Sequence, residues 1–492
     1  MDDVQDLEIQ LQKLSQQWQS MPLENTSQQK ESSEFYRQEV FPHIKKMFTI
    51  KERSKNTSPV YGVIISVGTS PEPLVLSICT LKPERVLFLC SLDSERFLDI
   101  IVTQTKLSPC QWEKREIDPN NPLSIYKEIR EAWIRWGKRP EIIVDFTGGT
   151  KSMSAGMAMA GHIIGARMVY VANKKYLSEH RRPEPGTEYL EFLSNPYEIF
   201  GDLEEGKANL LFKRHDFAGA GRIITELKTK VAEPRRYEVL EWYIGSCEAW
   251  DALNFEETSR KLDQVIRLVR QYSISGEPFI LKCELEILAR QSEYLKRLSS
   301  RIPKGSKKPD LKLLQDDISI KTLIFTVYKN AIRREEQGKF DMAALLLYRL
   351  LEMMEQHRLA IYGFDTSNPD YSLLPKTGQD TLLEHFNQKL LSMNQKPVTE
   401  LPAQVSLLQG YFFLEIIVDP FQINQATIHW KKFCNELESR NYSILTHGFA
   451  LVSREQYTKF KEMVVTLLNL FCQVEKIDQQ AAEIEYSFVN PW

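Results

Sequence analysis

Hydrophobic positions recur along this chain with two different periods, and the changes of period divide it. From Val60 onward, short apolar runs at 61–67, 85–91, 112–117, 141–145 and 167–172 read as strands, and the stretches 71–80, 94–107, 122–137 and 151–164 between them read as helices. Strands that alternate with helices of this length imply right-handed crossovers and a mostly parallel sheet covered on both faces. The pattern predicts a Rossmann-like α/β domain over 58–196, with 189–193 added as an edge strand.

Before this domain the period is helical. Leu7, Leu11, Leu14 and Trp18 fall at steps of four, three and four, and Phe35, Tyr36, Val40, Ile44 and Met47 form a second apolar stripe. Residues 1–57 are expected to be a helical extension packed on the α/β domain. After Pro196 the alternation stops and the pattern is helical to the end. Phe217, Phe255 and Phe340 each come after a short polar turn at the mouth of a helix, as in paired-helix architectures. The stretch 297–312, with Arg301, Lys304, Lys307, Lys308 and two prolines, reads as a joint between a helical connector over 197–310 and a helical domain over 311–492.

Composition narrows the class. At 492 residues two or three domains are expected. A balance of 63 basic against 66 acidic residues argues against a broad nucleic-acid-coating surface and leaves room for local basic sites. Seven scattered cysteines without a CxxC pair suit reduced thiols. Met1-Asp2-Asp3-Val4 lacks the basic-then-apolar order of a secretion signal, and no apolar run approaches the roughly 18 residues of a membrane helix, so a cytoplasmic protein is expected.

Two stretches carry chemistry. In the first, Glu141 to Met153, an apolar strand ends in Asp145, Gly148 and Gly149 permit a tight turn, and Thr150 can cap a helix running through Ala155, Met157 and Ala160. Such a helix start offers unpaired N–H groups at the positive end of the dipole, and Lys151 adds a full charge, so a phosphate is the natural guest. The loop Val67-Gly68-Thr69-Ser70-Pro71 after the first strand is equally small and hydroxyl-bearing. In parallel sheets ligands bind outside the C-terminal strand ends, where strand order reverses, and both loops qualify. The first βα turn holds Gly68 without the further glycines of a dinucleotide fold, and the positions of the Walker A glycines hold Thr150 and Asp145, which speaks against ATP hydrolysis. The plain alternative is that Gly148 and Gly149 simply make a βα turn.

The second stretch is Arg440 to Gly448. On a helix, Arg440 and His447 project only roughly 20° apart, with Asn441 beside them. Arg, His and Asn without Cys or carboxylate companions suit phosphodiester chemistry better than metal binding. Imidazole moves protons near neutral pH, guanidinium stabilises charge on phosphate oxygens, and Asn orients either partner. On RNA this permits attack by the neighbouring 2′-hydroxyl. Two copies meeting across a dimer axis would supply both acid and base. The plain alternative is an Arg and a His sharing a solvated face. After Gly448, Ser453 and Gln456 read as a capping box for a long amphipathic helix.

Taken together, Thr147-Gly148-Gly149-Thr150-Lys151-Ser152-Met153 resembles the nucleotide-sensing loop of CARF domains, and Arg440-Asn441 with six-residue spacing to His447-Gly448 resembles the ribonuclease motif of HEPN domains. Their order is that of the CARF–HEPN accessory ribonucleases of type III CRISPR–Cas systems. The resemblance implies a homodimer whose CARF domains bind a cyclic oligoadenylate, with tetra-adenylate the expected ring, and whose HEPN pair then cleaves single-stranded RNA without a metal or other cofactor, leaving a 2′,3′-cyclic phosphate. It assigns Arg440, Asn441 and His447 as catalytic, and Thr69, Ser70, Thr147, Gly148, Gly149, Thr150 and Lys151 as ring contacts. No membrane partner and no stable DNA binding are expected. The competing expectation is a ring-sensing regulator or scaffold whose HEPN domain does not cleave.

Overall fold

A computed structural model of the chain describes residues 2–56, 58–274, 281, 284–302, 311–375, 378–441 and 449–492, with the backbone course alone at 2–4, 197, 198, 274, 379, 380 and 438–441. The chain forms two compact units, 1–199 and 200–492.

Unit one begins with α1 (Asp2–Gln19) and α2 (Thr26–Phe35), the latter running through a single π turn at Tyr36–Val40 into α3 (Phe41–Lys55). The sheet comes next: β1 (Gly62–Ser66), α4 (Glu72–Leu81), β2 (Arg85–Cys90), α5 (Leu98–Thr105), β3 (Trp112–Glu116), α6 (Pro122–Arg135), β4 (Ile142–Asp145), α7 (Lys151–Ile163) and β5 (Arg167–Asn173). A small hairpin of β6 (Tyr176–Leu177) and β7 (Arg182–Pro183) leads to β8 (Glu188–Leu193). The strand order is β3-β2-β1-β4-β5-β8, parallel except for β8, which runs antiparallel to β5. The five expected parallel strands and the edge strand at 189–193 are present, because the apolar runs and the crossover helices were explicit in the sequence; the short β6–β7 hairpin was not expected.

Alternation along each strand sends side chains to two separate cores. Val63, Ile65, Phe88 and Ile143 pack on one face with α4, α5 and the N-terminal helices through Leu11, Trp18, Val40, Phe41, Ile44 and Phe48. Ile64, Leu87, Val144 and Met168 pack on the other with α6 and α7 through Ile125, Ile129, Met153 and Met157. The apolar residues of α1, the π turn and α3 are therefore part of the sheet's own core. Glu52 of α3 also accepts a hydrogen bond from the Leu190 N–H (3.2 Å), which blunts the β8 edge.

The regular elements of unit two are helices among its described residues, and one hydrophobic core runs through it from Ala208 to Tyr486. Phe217, Phe255 and Phe340 each open a helix, as the local pattern predicts, and all three join or border this core. Around 297–312 the helix Leu285–Arg301 and the helix Leu311–Leu314 flank residues 303–310, which lie outside the described residues. Asp316 takes ion pairs from both Arg297 and Arg301 across that stretch. The C-terminal segment folds back on the early helices: Tyr486 stacks on Phe325 at 5.8 Å, and the Tyr243 hydroxyl donates to the Val489 carbonyl at 2.8 Å. No helix among the described residues is long and apolar enough to cross a membrane.

Candidate functional site

The strand order reverses between β1 and β4, the two central strands that pair with each other. The loops leaving their C-terminal ends therefore lie side by side, and their contact is backbone on backbone. A Cβ on Gly68 would fall 2.4 Å from the Gly149 nitrogen, and one on Gly148 would fall 2.4 Å from the Ser66 carbonyl oxygen. Gly149 has φ +95°, which a residue with a Cβ rarely adopts. Three glycines are thus required here by approach and by backbone angle.

Side chains then lock the crevice. Ser66 donates its hydroxyl to the Gly148 carbonyl at 2.6 Å, tying one loop to the other. Asp145, buried at the end of β4, accepts from the Thr147 N–H (2.9 Å) and the Thr147 hydroxyl (2.5 Å). The same hydroxyl accepts from the Val171 N–H of β5 at 2.8 Å. Burial pushes the Asp145 carboxyl above the usual carboxylate range against the pull of the Ser77 hydroxyl and of the Thr147 bonds. Thr150 is the N-cap of α7: its hydroxyl accepts from the Met153 N–H (3.2 Å) and donates to the Pro119 carbonyl (3.2 Å).

What remains open is the first turn of α7. The Lys151 and Ser152 N–H groups and the Lys151 ammonium make no hydrogen bond or ion pair among the described residues, and Thr69, Ser70, Gly149, Thr150 and Lys151 are exposed. The arrangement can hold an anion by backbone N–H groups, hydroxyls and one full charge. Ser66 and Asp145 are the supports that motif reading passed over. Their signal was a polar residue at the end of an apolar strand, which must find a partner when buried.

The second stretch lies in unit two. The helix Trp430–Asn441 carries Arg440 and Asn441 in its last turn, where only the backbone course is described, and His447 and Gly448 lie outside the described residues. That helix is held by Trp430, whose ring N–H donates to Glu415 at 2.5 Å, by Phe433 against Tyr411 at 5.1 Å, and by buried Leu437. Beyond 448 the chain is fixed again by the Val452 N–H on Asp341 (3.1 Å) and by a capping box, in which the Gln456 N–H bonds the Ser453 hydroxyl at 3.2 Å and the Ser453 N–H bonds Gln456 Oε1 at 2.9 Å. The next helix, Arg454–Val474, buries Tyr457, Phe460, Met463, Val464, Leu467, Leu468 and Phe471, the stripe its periodicity predicts.

Other polar groups of this unit are engaged structurally. Arg358 pairs with Asp419 at 2.7 Å and with Glu475, Tyr362 donates to Asp419 at 2.8 Å, and His357 Nδ1 lies 2.6 Å from the Leu314 carbonyl. Arg349 pairs with Glu352 at 2.8 Å along its own helix.

Comparison with known proteins adds the family. A model described as the Csm6 HEPN domain matches residues 315–471, which include Arg440, Asn441 and His447, and one described as the Csm6 6H domain matches residues 200–295. The CRISPR system endoribonuclease Csm6 of Thermus thermophilus is 28% identical over 431 residues, 85% of this chain and 87% of its own length. The two Csm6 models and this relative together support a CARF–HEPN accessory ribonuclease of type III CRISPR–Cas systems. Among solved structures, Can2 from Sulfobacillus thermosulfidooxidans in complex with cyclic tetra-adenylate is similar over 42% of this chain and 52% of that chain, about half its length, at 13% identity and a TM-score of 0.22, too low to carry an argument. The helix Trp430–Asn441 lies within the span that the Csm6 HEPN model matches, and the crevice between β1 and β4 lies before the first residue that either model matches.

Proposed function

We propose that this protein is a metal-independent endoribonuclease switched on by a cyclic oligoadenylate, with tetra-adenylate the expected ring. The observation that carries the reading is the inclusion of Arg440, Asn441 and His447 within the span matched by the HEPN model. In this reading residues 58–196 sense the ring, the helices of 197–310 connect, and 311–492 cleave.

The crevice supports the sensing half. The ring's phosphates would meet the N–H groups of Lys151 and Ser152, the Lys151 ammonium and the hydroxyls of Thr69 and Ser70, while Thr147, Gly148, Gly149 and the helix-capping Thr150 shape the cradle. Thr147 acts from beneath, since its hydroxyl is engaged by Asp145 and Val171.

In the cleaving half, one His447 removes the proton of a 2′-hydroxyl, the oxygen attacks the adjacent phosphorus, and the 5′-oxygen leaves with a proton from the second His447 of a homodimer. The products are a 2′,3′-cyclic phosphate and a 5′-hydroxyl. Arg440 stabilises the charge developing on the phosphate oxygens and Asn441 orients the imidazole or the phosphate. Phe449 and Leu451, 95% and 72% exposed beside the His447 stretch, support a partner copy covering this end.

The test is cleavage of a single-stranded RNA reporter in chelator, with and without each cyclic oligoadenylate. Ring-dependent cleavage is expected, lost in Arg440→Ala and in His447→Ala. Undiminished cleavage in either variant would remove the assigned site.

A further inference from the structure

A second anion-selective feature lies in unit one, away from the crevice. An open pocket of about 700 Å³ lies between α3, the C-terminal ends of α4 and α5, and the turn before β3. Because α4 leaves the C-terminal end of β1 and runs back before β2 begins, its own C-terminus lies at the opposite end of the strands from the crevice loops. The pocket volume is that of a site for a small organic molecule.

Its charge is one-sided. Lys45, Lys46, Lys82 and Lys106 line it, and among the described residues no acidic one does. Lys45 donates to the Gln104 carbonyl at 3.3 Å, whereas the ammoniums of Lys46, Lys82 and Lys106 make no ion pair among the described residues. Lysines at helix C-termini ordinarily answer the helix dipole. Two termini present only about half a negative charge each, however, against four full positive charges here. The excess is unbalanced in a chain whose acids outnumber its bases, 66 to 63.

Two of these lysines also sit where glycine is the usual residue. Lys82 and Lys106, each just beyond a helix end, have φ of 45° and 56°. The floor between the ammoniums is apolar, formed by Ile50, Ile78 and Leu107, with the Cys79 thiol among them. No aromatic side chain of the described residues lines it.

We infer that this pocket binds a small organic anion, a phosphate or carboxylate carried on an apolar body. The head group is held by Lys46, Lys82 and Lys106, and the body lies on Ile50, Ile78 and Leu107. The same chemistry is offered by an aliphatic amphiphile and by a nucleotide; the aliphatic walls favour the former.

Octyl phosphate, octanoate and ATP, each titrated into the full-length protein by calorimetry, test this, together with the rate of Cys79 alkylation read by peptide mass spectrometry. Binding of one anion per chain is expected, with slower alkylation of Cys79 when bound. Tighter octyl phosphate than ATP assigns the aliphatic source, and the reverse assigns the nucleotide. The double variant Lys82→Gly, Lys106→Gly removes two charges at positions whose φ suits glycine, so its melting temperature is retained or raised while anion affinity falls at least about tenfold. Lys151→Glu, in the crevice, keeps the binding. Absence of both heat and Cys79 protection at millimolar anion, unchanged affinity in the double glycine variant, or loss of binding in Lys151→Glu would each overturn the proposal. None of these outcomes depends on whether a cyclic oligoadenylate activates the protein.

Discussion

Asp145 holds Thr147 by two hydrogen bonds at once, to its N–H at 2.9 Å and to its hydroxyl at 2.5 Å, and Thr147 passes the connection to β5 through the Val171 N–H at 2.8 Å. The crevice loop is thereby fixed to the centre of the sheet from below, leaving its upper side for a ligand. Thr147→Val keeps the volume and removes the hydroxyl, orphaning one Asp145 contact and the Val171 N–H. The expected loss is about 1–3 kcal/mol of stability, read by denaturant unfolding, with a matching loss of ring affinity by calorimetry. An unchanged midpoint and affinity would show that the connection is idle.

Gly148→Ala probes the approach of the two loops. Its new methyl would lie 2.4 Å from the Ser66 carbonyl oxygen and 2.8 Å from the Gly68 nitrogen, both backbone atoms. The loops must separate, and ring affinity is expected to fall by at least about tenfold, one power of ten being about 1.4 kcal/mol. Calorimetric titration with cyclic tetra-adenylate decides it, and wild-type affinity would mean that the loops do not act together.

Lys151→Glu reverses the full charge at the open start of α7. Activation by the ring is expected to vanish while the melting temperature stays within the range of a surface substitution. The reporter assay across a ring titration measures the first and thermal unfolding the second. A normal dose response would remove Lys151 from the phosphate site.

Glu188 makes stability depend on pH. Burial raises its carboxyl from 4.5 to about 7, although backbone N–H groups including that of Gly186 pull the other way. The folded state therefore holds this proton more tightly than the unfolded chain. Stability falls as pH rises from about 4.5 to about 7 and stays lowered above. Burial of Asp145 and Glu355 raises their carboxyls in the same sense. Glu188→Gln should remove roughly 2–3 kcal/mol of that slope, one pKa unit being about 1.4 kcal/mol. Denaturant midpoints at pH 5 and pH 8 check this, and a variant with the wild-type slope would clear Glu188.

Local pattern carried much of the fold. The strands at β1, β2, β4 and β5 are apolar because both faces are buried, and Thr150, Ser453 and Gln456 announce helix starts because backbone N–H groups there lack partners. The Arg358, Asp419 and Glu475 cluster was not legible, since its members come from three separate stretches and meet only through packing.

The sequence by itself determined the alternation of strands and helices, the position of the glycine-bearing loop before α7, and the order of the two motif stretches, since each rests on neighbours within a few residues. Only the tertiary structure decided that β1 and β4 are adjacent, which brings Gly68 against Gly149 and Ser66 against Gly148. It alone decided that the N-terminal helices share the sheet's core and that two lysines of α3 and the two that follow the ends of α4 and α5 line one pocket. Such contacts join residues far apart in the chain, and no local period encodes which distant surfaces will meet.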